Sequence, residues 1–288
     1  MRISIIGLGL QGGSIGLKLR EKGHYVIGQD YLPLHEKWAL ELGLVEEIMP
    51  FAQAVKESDV CFLAMPVNYI ESTLIKVLDL IDSQQVVSDT GSTKEKIGQA
   101  VKNHPMRHRY VAGHPLAGTE FSGPKAAFST LFEGKKNLVC DIELSDKNAV
   151  ETIQKLNTDL GMKTVFMDSA KHDKHLAYVS HLSHVSSFML GLTVLDIEQD
   201  EQQIFELAGT GFGSTVRLAK SSPETWAPIF ERNQKHLSDA LGEYIAHLTK
   251  FKKYMDAGNL DELKGAMSKA NEIKRVLDNT PPTTSSNK

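Results

Sequence analysis

His114 stands between Gly113 and Pro115, with Leu116, Ala117, Gly118, Thr119 and Glu120 directly behind it. An imidazole exchanges a proton near neutral pH, so a histidine held in a tight polar turn is a candidate general base. The apolar run at 110–112 ahead of it reads as a strand end, and strand ends of this kind are where α/β proteins gather ligands. The same position also suits a histidine that only caps the turn. Ser88-Asp89-Thr90-Gly91-Ser92-Thr93-Lys94 follows another apolar run in the same manner. The hydroxyls of Ser92 or Thr93 could position a substrate hydroxyl. Capping the helix that follows is the expected role of one of them.

A second chemistry lies at the amino terminus. Gly7-Leu8-Gly9-Leu10-Gln11-Gly12 fits Gly-x-Gly-x-x-Gly between a β-branched run at 3–6 and a helical stretch at 11–22. The glycines serve a tight turn, a close approach of backbone to a pyrophosphate, and helix-on-strand packing. The helix start offers free N–H groups and a positive dipole end to phosphate. Asp30, just past a run at 25–28, lies close to the ~20-residue offset of a ribose-binding carboxylate. A carboxylate there repels the extra phosphate of NADP, so NAD is the expected cofactor. A glycine-rich turn with no ligand is the alternative, and strand, helix and Asp30 in register weigh against it.

Two further groups belong to the carboxyl-terminal half. Arg217 closes the glycine-rich stretch 209–217. A guanidinium grips carboxylates in bidentate fashion, which makes it a candidate anchor for an anionic substrate, or else a surface arginine near a helix start. Asp173, Ala177, His181 and His184 recur at spacings that share one helical face. His-x-x-His pairs without converging carboxylates make poor metal sites, so no metal is expected. The polar face is expected to turn toward the cofactor domain.

The elements that must position these groups follow from the patterning. Short apolar runs at 3–6, 25–28, 60–64, 86–88, 109–112, 138–142 and 164–166 alternate with helical stretches such as 69–80 and 93–102. Such alternation predicts an α/β fold, a Rossmann-like, mostly parallel sheet covered on both faces. After residue 167 the strand-like runs give way to helical patterns at 171–195, 201–208, 225–255 and 260–277. The expected division is a dinucleotide-binding domain at 1–167, an all-α substrate and dimerisation domain at 168–280, and a disordered tail at 281–288. The 288 residues are 41% hydrophobic and 24% charged, with net charge −4, which gives no reason to expect nucleic acid or an anionic membrane as partner. Cys61 and Cys140, both in apolar runs, read as buried thiols in a reducing compartment. With no signal-peptide pattern and no run long enough to span a bilayer, the expected location is the cytoplasm.

Taken together, these segments resemble the prephenate dehydrogenase family, which includes the arogenate dehydrogenases of tyrosine biosynthesis. The resemblance runs from Arg2 to about Asn279. It rests on the glycine loop, Asp-Thr-Gly-Ser-Thr-Lys at 89–94, Gly-His-Pro-Leu-Ala-Gly-Thr-Glu at 113–120, His-Asp at 172–173, Ser-His-Leu-Ser-His at 180–184 and Gly-Phe…Arg at 211–217. It implies a homodimeric oxidoreductase that decarboxylates prephenate to 4-hydroxyphenylpyruvate while reducing NAD, or acts on arogenate to form tyrosine. His114 then takes the proton of the ring hydroxyl, Ser92 contacts that hydroxyl and the nicotinamide, and Arg217 grips the side-chain carboxylate. His184 and Thr119 line the substrate pocket, Glu120 and Asp173 form an acidic pair that gates it, and Trp226 reaches in from the partner subunit. Gly7, Leu8, Gly9, Leu10, Gln11, Gly12, Asp30, Ala64, Pro66 and Asp89 are assigned to the cofactor. Many relatives carry Gly-Phe-Arg-Asp where this chain has Gly211-Phe212-Gly213-Ser214, which removes a charged pair near the substrate loop. The competing readings are a β-hydroxyacid-type dehydrogenase, which relies on lysine or aspartate on a central helix, and a non-catalytic NAD-binding protein.

Overall fold

Residues 1–198 and 209–278 are described by a computed structural model. The helix expected at 201–208 and the tail expected at 281–288 lie outside the described residues.

Eight strands form one sheet in the order β3-β2-β1-β4-β5-β6-β7-β8. They are β1 (Arg2–Ile6), β2 (Tyr25–Gln29), β3 (Glu47–Ile48), β4 (Val60–Leu63), β5 (Val86–Asp89), β6 (Tyr110–Pro115), β7 (Lys136–Cys140) and β8 (Lys163–Met167). The pairings from β3 through β6 are parallel; β7 runs antiparallel to β6, and β8 is parallel to β7. Strand order reverses between β1 and β4, and the crevice outside the carboxyl ends there is where open α/β sheets bind ligands. The strand expected at 109–112 continues through Pro115, so His114 lies inside β6 rather than in the turn after it. Only Tyr110 and Val111 pair with β5, whereas Ala112 to Pro115 pair with β7 alone. His114 therefore stands beyond the carboxyl end of β5 on a strand that overshoots its neighbour.

Helices cover both faces. On one side α1 (Leu10–Glu21) and α6 (Lys147–Asp159) bury Ile15, Leu19, Ile153 and Leu156 against β1, β6 and β7. On the other, α4 (Val67–Leu80) presents Val67, Ile70, Leu74, Val77 and Leu78, a stripe at helical spacing. With α3 (Phe51–Lys56) and α5 (Glu95–Ala100) it covers Cys61, Leu63, Val87, Tyr110 and Ala112. Side chains alternate across a strand, so His114 shares the face of Tyr110 and Ala112. That face is the one carrying α5 and, beyond it, α7 (Ser169–Leu176). The short α2 (Pro33–Glu41), α3 and β3 have too little periodicity to stand out in the sequence.

After β8, α7 leads through a π-helical turn, Ala177–His181, into α8 (Leu182–Glu198). Then come α9 (Thr210–Thr215), a 3-10 turn at Arg217–Lys220, α10 (Pro223–Arg232), α11 (Gln234–Asp256), α12 (Leu260–Ala270) and α13 (Ile273–Leu277). The helix expected to run unbroken over 225–255 is interrupted at Asn233, and that over 260–277 between Ala270 and Ile273. The described residues fall into two compact units, divided between Leu237 and Ser238. Alpha-helices α7 to α10 belong to the first because α7 packs on α5 and β7, and α10 packs on α4. The second holds most of α11 together with α12 and α13.

Candidate active site

The glycine loop is shaped by contacts that exclude larger side chains. Gly7 has φ +99°, a conformation favouring glycine, and donates its N–H to Gln29 O at 2.8 Å. A Cβ on Gly12 would sit 1.9 Å from Gly7 O. A Cβ on Gly9, which precedes α1, would meet nothing within 4 Å. The loop is thus closed beneath and open above, at a helix start whose N–H groups suit a pyrophosphate. Ala64 backs it, its carbonyl 2.5 Å from the Cβ that Gly7 lacks, and Pro66 lies exposed before α4. Asp30 accepts Leu8 N–H at 2.7 Å and Leu32 N–H at 2.9 Å, with His35 Nδ1 3.3 Å away. The carboxylate is fixed at the edge of the loop, where a ribose hydroxyl would meet it. Two buried side-chain oxygens without a partner, Asn68 Oδ1 beside the loop after β4 and Thr93 Oγ1 after β5, flank the same sheet edge. These features fit a dinucleotide.

Not every residue assigned to the cofactor faces it. The Leu8 side chain is in the core and its N–H is spent on Asp30. Leu10 packs against the core, and Gln11 Nε2 donates to Ala117 O at 2.8 Å, tying α1 to the segment behind His114. Asp89 is a buried structural hub rather than a cofactor contact. Its carboxylate pairs with Lys94 Nζ and accepts from Tyr110 OH at 2.7 Å, Gly91 N–H at 2.9 Å and Gly113 N–H at 3.2 Å. Burial and the Asp89 charge together push the Tyr110 hydroxyl well above its ordinary pKa.

His114 is 7% exposed and is held from both ends. Its N–H donates to Asn137 Oδ1 at 2.9 Å; Asn137 in turn donates to Asn157 Oδ1 at 2.8 Å, and Asn157 to Thr164 Oγ1 at 2.9 Å. Its ring Nδ1 lies 2.9 Å from His172 Nε2, and His172 Nδ1 lies 2.7 Å from Asp173 Oδ1. Nε2 of His114 has no hydrogen-bond partner among the described residues. Burial, followed by the charges of His172, Lys94 and His181, holds the His114 pKa well below 6.5.

Asp173 was expected to gate the pocket with Glu120, and the structure corrects this for the aspartate. It is 2% exposed, and its carboxylate also accepts Lys94 N–H at 2.8 Å and Glu95 N–H at 3.0 Å. Neither Ser92 nor Thr93 caps α5; Asp173 does so from 78 residues away. Burial works to raise the Asp173 pKa, yet the hydrogen bond from His172 and the backbone donors hold it below its ordinary value. Glu120 is exposed in the segment after β6, and Thr119 Oγ1 accepts Phe121 N–H at 3.2 Å. Ser92 is half-buried on the turn between β5 and α5.

The second group joins the first through Asn233. Asn233 Nδ2 donates to Asp173 O at 2.7 Å and lies 3.1 Å from His181 Nδ1. His181 meets Trp226 edge-on, and Trp226 stacks on His184 with ring centroids 3.3 Å apart. Trp226 thus contacts two histidines of its own chain, because α10 packs against α4 and carries it back over the start of α8. Burial lowers the His184 pKa and the nearby Arg217 guanidinium adds to this, while Ser180 O, accepting from Nδ1 at 3.0 Å, opposes it. Arg217 is exposed and has no ion-pair partner among the described residues. Gly213 and Ser214 sit on α9, whose side has space around Gly213. Sequence reasoning missed His172, Asn137, Asn157, Asn233 and Lys94 as parts of this assembly. The adjacent His172-Asp173 pair was the one signal that could have found part of it.

A glycine loop that fits a dinucleotide, and a partnerless imidazole nitrogen on the same sheet edge, define a nicotinamide-dependent dehydrogenase. The family model for the prephenate dehydrogenase nucleotide-binding domain matches residues 15–166, and that for the prephenate dehydrogenase dimerization domain matches 168–269. The chain belongs to the prephenate dehydrogenase family. It is 31% identical to a prephenate dehydrogenase of Bacillus subtilis, over 91% of this chain and 72% of that protein. It is 28% identical to a cyclohexadienyl dehydrogenase of Zymomonas mobilis, over 96% and 95% respectively. The crystal structure of a prephenate dehydrogenase from A. aeolicus in complex with hydroxyphenyl propionate and NAD+ aligns with TM-score 0.88 and 29% identity, over 96% and 97% of the chains. A 3-hydroxyisobutyrate dehydrogenase of Mycobacterium tuberculosis, at 15% identity and TM-score 0.54, shares the fold alone. The chain is therefore an NAD-dependent dehydrogenase, and no helix among the described residues is long and apolar enough to cross a membrane.

Proposed function

We propose that the enzyme oxidatively decarboxylates prephenate to 4-hydroxyphenylpyruvate. The observation that carries this reading is the partnerless Nε2 of His114, whose Nδ1 is held by His172, on the stretch of β6 that overshoots β5. Bound NAD supplies the hydride acceptor. His114 Nε2 accepts the proton of the ring hydroxyl as the carbinol carbon loses hydride and becomes a carbonyl. The bond to the ring carboxylate then breaks; its electron pair enters the ring, carbon dioxide leaves, and the oxygen ends as a phenol that recovers a proton. Aromatisation makes the step effectively irreversible, so alignment and a base suffice.

In this reading Ser92 holds the hydroxyl, and Arg217, an exposed guanidinium beside His184, grips the side-chain carboxylate. His184 and Trp226 form an aromatic wall, with Thr119 and Glu120 on the segment after His114. The working form is a homodimer built through the helical domain, in the cytoplasm, where the free thiols of Cys61 and Cys140 stay reduced. Arogenate differs from prephenate by an amino group in place of a keto group on the side chain. Supplying each substrate with NAD and with NADP, and following nicotinamide reduction, tests substrate and cofactor together. Turnover is expected with prephenate and NAD. Turnover restricted to arogenate, or to NADP, overturns the corresponding half.

A further inference from the structure

We infer that His172 and Asp173 are positioning residues that hold the base His114 in one tautomer; the inference rests on the proton-accepting role proposed above. With His172 neutral, the hydrogen-bond network assigns every proton along the line. Asp173 is a carboxylate and can only accept, so the 2.7 Å contact places a hydrogen on His172 Nδ1. A neutral imidazole with Nδ1 protonated has a bare Nε2. The 2.9 Å contact from His172 Nε2 to His114 Nδ1 is then satisfied only by a hydrogen on His114 Nδ1. His114 Nε2 is left as the lone-pair nitrogen, and of the four ring nitrogens of His114 and His172 it is the one with no hydrogen-bond partner among the described residues.

The arrangement answers an electrostatic difficulty. His114 must become an imidazolium beside Lys94, a fully buried cation, with His181 also near. Lys94 is neutralised by Asp89, which Tyr110 also bonds, and Asp173 faces the far side of His172. When His114 Nε2 gains a proton, its Nδ1–H already donates to a ring polarised by the carboxylate, so the new charge is stabilised with no second proton transfer. Asp173 also accepts the Lys94 and Glu95 N–H groups, which ties the base to the turn carrying Ser92. His172 is 0% exposed, so its place in the mechanism is indirect, through His114.

The test reads tautomers and kinetics separately. Long-range nitrogen–proton NMR of the free enzyme is expected to find both His114 and His172 protonated at Nδ1; a hydrogen on His114 Nε2 overturns the inference. His172→Leu is expected to cut kcat about 10–100-fold, with the KM for prephenate and the affinity for NADH within about twofold. His172→Gln, whose amide can accept from His114 and donate to Asp173, is expected to recover part of the loss. Wild-type kcat in His172→Leu refutes positioning. If that variant does not fold, Asp173→Asn replaces it: His114 is expected to populate a mixture of tautomers, and an unchanged tautomer sinks the idea. Failure of His114→Asn to lose turnover would instead sink the base assignment itself, while leaving the NMR result standing.

Discussion

His114 has to be neutral to accept a proton and has to tolerate the charge once it has one. Burial and three cationic or cation-forming neighbours settle the first requirement by pushing its pKa well below 6.5. The acidic limb of kcat/KM is therefore expected well below pH 6.5, because kcat/KM reports groups of the free enzyme. An acidic limb at or above 6.5 would exclude His114 as the titrating base. His114→Asn is expected to lower kcat by about 10²–10⁴-fold with NADH affinity nearly intact, measured by fluorescence titration. The same burial has a cost in stability, and its sign is set by linkage. The folded pKa values of His114 and His181 lie below their unfolded value of 6.5, that of His181 at about 4. The unfolded chain thus binds more protons, and stability that is full above about pH 6.5 is lost as pH falls toward the folded values. His181 alone accounts for on the order of 3 kcal/mol once the pH is below 4. Urea midpoints at pH 7 and pH 5 check this: the midpoint should fall at pH 5.

At the scale of elements, the glycine loop separates two kinds of constraint that one motif combines. Gly12→Ala puts a methyl against Gly7 O at 1.9 Å, so α1 cannot seat on β1, and a loss of about 1–3 kcal/mol is expected by urea denaturation. Gly9→Ala puts a methyl into open space, and stability should stay within about 0.5 kcal/mol. That space is where a pyrophosphate would lie, so NADH affinity is expected to fall about tenfold or more, equivalent to about 1.4 kcal/mol. Unchanged NADH affinity in Gly9→Ala would show that the loop does not hold the cofactor. The loop, the strands flanking it and Asp30 were legible in sequence because their constraints are local: a turn, a close approach, a fixed offset. The strand that carries His114 was legible only to Ala112, since its last residues pair with β7, a partner 25 or so residues away that no local pattern announces. The cap of α5 was invisible for the same reason. Ser92 and Thr93 have the right chemistry nearby, but Asp173 reaches the backbone first. Asp173 read as part of a polar helix face and as one of a gating pair, and only the packing of α7 on α5 buries it and gives it another task.

For the whole molecule, the apolar surface decides whether one chain is the functional unit. Ile245, Leu248 and Met255 on α11 are each about half exposed or more, and Met267 and Leu277 follow on α12 and α13. Water contact with this many large aliphatic side chains is unfavourable at roughly 25 cal/mol per Å², and association through them removes it. We propose an isologous dimer, because a single self-complementary face closes with two copies and leaves no open edge for further growth. Sedimentation velocity should give a particle of twice the 31.8 kDa chain, and Tm should rise with protein concentration, as mass action requires of a coupled dimer. Leu248→Glu places a carboxylate at a position 51% exposed in the single chain, so it should cost the monomer little. In a buried dimer face the same charge would be desolvated without a partner, and the species should shift to monomer at micromolar concentration. A variant that stays dimeric, with the wild-type concentration dependence of Tm, would move the interface away from α11.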